Sequence, residues 1–172
     1  SPWPVGPVAN RGRVEAEATL VAPLSGRKCV AYEVEVRSPI FGEEGELIHR
    51  VGACRPFSIR DEQGTMCLLP DGVAVDVALE PERSGDTASE PNERLTKLLL
   101  AGGFEALDAR TTDNHYIWWE GIVREGDEVI VYGRLTPETE AGGGYRAGAK
   151  RFVIAAPPDG EVVVANAPKE EA

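Results

Sequence analysis

The feature that most constrains this chain is a two-residue hydrophobic period that recurs along its length and is cut off each time by a turn signal. Residues 13–22 (RVEAEATLVA) place Val14, Ala16, Ala18, Leu20 and Ala22 on one face and Glu15, Glu17 and Thr19 on the other. Successive side chains leave a pleated strand on opposite faces, so strict alternation of this kind marks a half-buried strand. After APLSG the alternation resumes in residues 28–37 (KCVAYEVEVR), with Val30, Tyr32, Val34 and Val36 together. These two runs are expected to pair as a hairpin. A further apolar stretch lies around Ile48 and Val51, beyond an acidic, Gly- and Pro-containing loop at 38–46. In residues 56–72 two short apolar runs flank Asp61-Glu62-Gln63-Gly64, whose Asp start and Gly end suit a tight turn and predict a second hairpin. Residues 73–79, 115–124, 128–135, 145–156 and 161–165 read as further strands.

One segment changes period. In RLTKLLLAGG, Leu95, Leu98 and Leu99 share a helical face, Asn92 is placed to cap the N-terminus and Gly102-Gly103 to end it. The expectation is therefore a mainly β fold, an antiparallel barrel or sandwich of about nine to ten short strands with one short helix near 93–101. Residues 1–11 read as a Pro-rich lead and 12–166 as a single domain. That domain holds an acidic loop at 80–93 and a Gly-rich loop at 136–144, and 167–172 form a polar tail.

Charge narrows the partners. With 18 Lys+Arg against 29 Asp+Glu the net charge is -11, which repels phosphate backbones over most of the surface, so nucleic acid is not an expected partner. No run of eighteen or more apolar residues occurs, and residues 1–12 lack the pattern of a signal peptide. Cys29, Cys54 and Cys67 form no CxxC or CxxH pair, which points to small buried hydrophobes and gives no zinc site.

Catalytic chemistry finds little to stand on. His49 and His115 are the only imidazoles, they fall on different strands, and neither belongs to an HExxH pattern. No GxSxG or comparable nucleophile motif occurs. Gly142-Gly143-Gly144 is not followed by the Lys-Ser/Thr of a phosphate loop. No catalytic, cofactor-binding or metal-binding residue is assigned. Glu120 stands apart because it interrupts Tyr116-Ile117-Trp118-Trp119 and precedes Ile122-Val123. Alternation puts it on the face of Trp118, opposite Trp119. A covered carboxylate there needs a partner, and a structural ion pair with an arginine is the expectation. Two alternatives remain. One is a small-ligand or hydrolytic barrel with a pocket near His115 and Glu120. The other is an oligonucleotide-binding, OB-like barrel, which would require a basic groove around Arg146 and Lys150-Arg151.

Four ordered motifs carry a resemblance. They are the Gly12 and Val14 strand; Gly26, Cys29 and Tyr32; Pro56, Phe57, Asp61 and Gly64; and Glu120, Gly126, Asp127 and Gly133. In this order they resemble the GIDE domain (also called BAM, "beside a membrane") of mitochondrial ubiquitin ligases and their prokaryotic relatives, over roughly residues 12–156. The resemblance implies a domain next to the bilayer, held by flanking membrane helices outside this chain, on one side of the membrane and engaged with a protein partner. It does not carry over the ligase activity. That activity belongs to a RING, which needs about eight paired Cys/His zinc ligands, and no such set is present in this sequence.

Overall fold

The computed structural model describes residues 8–39, 45–104, 115–138 and 151–168. In chain order the strands are β1 (Val8–Glu15), β2 (Leu20–Val21), β3 (Lys28–Cys29), β4 (Ala31–Ser38), β5 (Glu46–Cys54), β6 (Phe57–Arg60), β7 (Met66–Leu69), β8 (Val75–Ala78) and β9 (Arg83–Asp86). Helix α1 (Glu93–Ala101) follows, and then β10 (Ile117–Val123), β11 (Glu128–Pro137), β12 (Arg151–Ala155) and β13 (Val162–Asn166).

Five strands close on themselves. β1 pairs with β6, β6 with β7, β7 with β12, β12 with β11, and β11 returns to β1. All of these pairs are antiparallel except β7–β12, which is parallel. Closure removes the exposed edges of a flat sheet, and a five-stranded barrel with this order is OB-like. Alternate residues fill its interior: Val14, Ile59, Cys67, Leu69, Val129, Val131 and Ile154 are buried there. β11 has β13 beside it over Val129–Tyr132 and β12 from Arg134 onward, on the same edge. Gly133 sits at the changeover. A Cβ there would lie 2.6 Å from Ile154 Cγ2 and 3.0 Å from the Ala155 carbonyl oxygen, so only a residue without a side chain allows the approach. β8 lies parallel to β13 and extends the sheet outward.

A second sheet, β5-β4-β10-β9, lies against this barrel. On one of its faces Val34, Val36 and Trp118 receive Leu95 and Leu99 of α1. The helix forms as its sequence indicates: Asn92 Oδ1 accepts from the Leu95 amide at 2.9 Å, and Gly103 (φ +88) ends it. The opposite face meets the chain around β8, where Glu33 accepts from the Leu79 amide at 3.2 Å. Gly121 lets the Glu80 carbonyl pass close by, since a Cβ there would lie 2.5 Å from that oxygen.

Several expectations change. Residues 13–22 are not one strand: β1 ends at Glu15, and only Leu20–Val21 resumes, in a two-stranded ribbon with β3. The cause is Pro56. The β1–β6 register pairs Glu15 with Ser58 and, two residues on, would set Glu17 against Pro56, which has no amide proton to continue the ladder. Of residues 28–37, Lys28–Cys29 pair with Leu20–Val21, a short remnant of the expected hairpin, whereas residues 31–37 pair with β10 and β5. The 80–93 segment is not loop throughout, because β9 forms within it and pairs with β10. β1 starts at Val8, within the segment read as a Pro-rich lead. The barrel is not wholly antiparallel. The hairpin over 56–72 forms as expected, β6 against β7. In the 136–144 segment β11 runs on to Pro137, and residues 139–144, with Arg146 and Lys150, lie outside the described residues.

Candidate functional site

Glu120 joins two of the four motifs. On β10 it lies opposite Val34, fully buried, with its side chain under the turn between β2 and β3. One carboxylate oxygen accepts from the Leu24 amide at 2.7 Å, and the other from the Ser25 amide at 3.1 Å. The partner is thus a pair of backbone amides and not the expected arginine. A tight turn leaves N–H groups with no ladder partner, and a carboxylate satisfies two at once. The turn is also closed by Gly26 N to Ala22 O (2.9 Å) and Ala22 N to Arg27 O (2.8 Å). Gly26 has φ +72, the left-handed backbone that favours glycine, and a Cβ on it would displace the Arg94 guanidinium of α1, 2.9 Å away at the end of a flexible side chain. Arg27 folds back over the same turn, its Nε 3.3 Å from Ser25 Oγ, and pairs with Glu82 at 2.9 Å.

Cys29 and Tyr32 line the neighbourhood of this carboxylate. Burial, and then the Glu120 charge, push the Cys29 thiol above its ordinary range, with Arg27 acting the other way. Burial raises the Tyr32 hydroxyl as well, followed by Cys29 and Glu120. Burial thus disfavours the thiolate of Cys29 and the phenolate of Tyr32. All three cysteines are free thiols, and burial lifts Cys54 furthest, to about 12.

The remaining motif residues hold turns and core. Asp61 Oδ1 accepts from the Gln63 and Thr65 amides at 2.9 and 2.8 Å, and Gly64 takes φ +79. Asp127 Oδ2 accepts from the Arg124 amide at 2.8 Å across a turn in which Gly126 has φ +89. That turn grips the C-terminal end of β1 through Val14 N to Asp127 O and Gly126 N to Val14 O, both 2.9 Å. Phe57 is in the barrel core, and Pro56 ends the β1–β6 ladder.

His115 and Glu120 are not brought together. His115 precedes β10, partly exposed, with Nε2 2.5 Å from Asp86 Oδ1 but not aligned for a hydrogen bond. His49 stacks obliquely on Phe104, with centroids 5.1 Å apart, on the far side of the second sheet's central strands. Among the described residues no group of three or more His, Cys, Asp or Glu side chains is arranged to hold a metal, and no helix is long and apolar enough to cross a membrane.

A different site, one that reading the sequence did not find, lies on the barrel wall. Where β1 and β6 part beyond Glu15 and Ser58, a groove of about 680 Å³ opens. Its floor is made by Ser58, Met66 and Leu68, which face outward because Phe57, Ile59, Cys67 and Leu69 face the core. Glu15, Glu17, Glu125 and Glu138 stand around it, with Arg55 and Arg151. Glu15 is held by Arg60 at 2.8 Å, while Glu17, Glu125 and Glu138 have no ion pair among the described residues. The signal that could have revealed it is Pro56 facing Glu17, legible only once the register is known.

Comparison with family models, with curated proteins and with solved structures finds no match to this chain.

Proposed function

We propose that this chain is a non-catalytic protein-interaction domain of the GIDE type, held beside a membrane by segments of its parent protein. The observation that carries the reading is the role of Glu120. Of all the motif residues it has the chemistry most suited to catalysis, and both of its oxygens are occupied by backbone amides of the Leu24–Ser25 turn. The acids at Asp61 and Asp127 are used in the same way, to hold turns. A rigid barrel with its polar motif residues spent on scaffolding, and a groove of mixed polarity on its wall, suits binding better than turnover. The membrane part of the reading rests on the four-motif resemblance alone.

The test uses the full-length protein in cells. Carbonate-washed membranes should retain it, and cross-linking in those membranes should join this domain to a specific partner. Partition into the carbonate wash would sink the membrane reading. A membrane-retained protein that yields no specific cross-link would sink the interaction reading.

A further inference from the structure

We propose that the barrel-wall groove binds an extended, net-basic peptide segment of a partner protein, laid along residues 16–19 with alternate side chains directed onto Met66 and Leu68. This rests on the reading of the domain as an interaction module and adds the chemistry of the partner.

Three observations support it. The first is unsatisfied backbone. Residues 16–19 make no backbone hydrogen bond to another described residue, because Pro56 removes the donor that would have extended the β1–β6 ladder. Free amides and carbonyls beside a groove are what an added strand pairs with, and main-chain bonds then supply affinity without requiring one particular sequence. The second is the floor. Met66 and Leu68 are half-buried apolar side chains on the outer wall of the barrel, where solvent-facing polar residues are the rule, and the partly buried Ala16 and Ala18, on the face of Val14, also line the groove. A volume of about 680 Å³ falls in the range of about 300–1,000 Å³ typical of ligand clefts. The third is charge. Four carboxylates against two guanidiniums line the groove, a net of two negative charges, and three of those carboxylates lack an ion pair among the described residues. Lysine or arginine side chains on an incoming peptide would meet Glu17, Glu125 and Glu138. The same carboxylates oppose a nucleic-acid strand, the usual alternative for an OB-like wall.

The inference is tested on the isotopically labelled chain with three probes: a short peptide alternating lysine and valine, its glutamate–valine counterpart, and oligo-dT. The lysine–valine peptide should shift the amides of residues 16–19, Ser58, Met66 and Leu68, with an affinity that falls as salt rises. In the double variant Glu17→Lys/Glu138→Lys, whose replaced side chains are exposed and have no ion pair among the described residues, binding should weaken about tenfold or more, a loss of roughly 1.4 kcal/mol. Unchanged amide positions away from the groove would show that the variant is folded. Any of three results overturns the proposal: no shifts in the groove, equal binding by the variant, or the same shifts from the acidic peptide or oligo-dT. If those results occur while the full-length protein still cross-links a specific partner in membranes, the groove assignment fails and the interaction reading survives. If no partner is cross-linked either, both fail.

Discussion

Replacing Glu120 separates a scaffolding carboxylate from a reactive one. In Glu120→Ala the Leu24 and Ser25 amides lose their acceptors at 2.7 and 3.1 Å, and no other side chain among the described residues accepts from them. Each buried donor left unpaired costs about 1–3 kcal/mol. The Leu24 amide belongs to a residue only 6% exposed and bears the full penalty, whereas Ser25 is partly exposed and its amide recovers some hydration. With the cavity left by the missing side-chain atoms, the expected loss is about 3–5 kcal/mol. Burying a carboxylate with no cation on its oxygens works against this figure, because removing a desolvated charge can stabilise a fold. That relief does not decide the sign here, since the amides are main chain and remain whatever residue stands at position 120. Glu120→Gln isolates the two effects: it keeps one acceptor oxygen for the Leu24 amide and sheds the charge. It is expected to lose about 1–2 kcal/mol, clearly less than alanine.

The assay is urea unfolding of the three proteins at neutral pH, together with amide exchange at Leu24 and Ser25. Exchange should accelerate at both residues in the alanine variant and mainly at Ser25 in the glutamine variant. Unfolding free energies within about 0.5 kcal/mol of the parent for both variants, with unchanged exchange, would refute the clasp.

Other outcomes follow from single contacts. Because burial lifts the Cys54 thiol from 9.0 to about 12, its thiolate population below pH 9 is about 1,000-fold smaller than that of an unperturbed thiol, so native-state alkylation at pH 8 should be slowed accordingly. Its folded pKa is raised, so the associated stability is complete below pH 9 and is lost as pH climbs through 12, which alkaline unfolding of the parent and Cys54→Ala would show. Asn92→Ala removes the cap on the Leu95 amide and should cost about 1 kcal/mol in urea unfolding. Gly121→Ala forces a Cβ to 2.5 Å from the Glu80 carbonyl and should cost about 2 kcal/mol or more by the same assay. Pro56→Val restores the missing donor opposite Glu17; the ladder should extend, seen as new exchange protection at position 56, and the lysine–valine peptide should bind more weakly.

What the sequence made legible was local. The helix over Glu93–Ala101 carried its own cap, periodicity and stop, and the β6–β7 hairpin carried its Asp61 and Gly64 turn, so both were readable from a few neighbouring residues. Pairing between distant segments was not. Nothing in residues 28–37 states that they lie against β10 and β5, because Val34 and Val36 would be equally well buried against any apolar face. β9 was unreadable for another reason: Arg83-Ser84-Gly85-Asp86 has no apolar alternation, and its strand geometry is imposed by β10, with Trp118 lying over Gly85. Glu120 stands out in the sequence because it interrupts an apolar and aromatic run, but its partner is not legible there, since backbone amides leave no signature in composition.

The most informative failure is at residues 16–19. Their side chains alternate as well as those of Val8–Glu15, so local preference favours a strand, yet the ladder stops because of a proline about forty residues away in the chain. Conflict between local pattern and final pairing is what minimally frustrated sequences avoid, and where it persists it tends to mark a place used for something other than stability. Among the described residues the conflict is not repaired: Ala16 and Ala18 keep an apolar face, Glu17 has no ion pair, and the groove opens beyond the end of the β1–β6 ladder. A segment patterned as a strand, with no backbone partner among the described residues, is suited to pair with an extended chain supplied from outside. That is the physical basis for assigning the groove to a peptide strand.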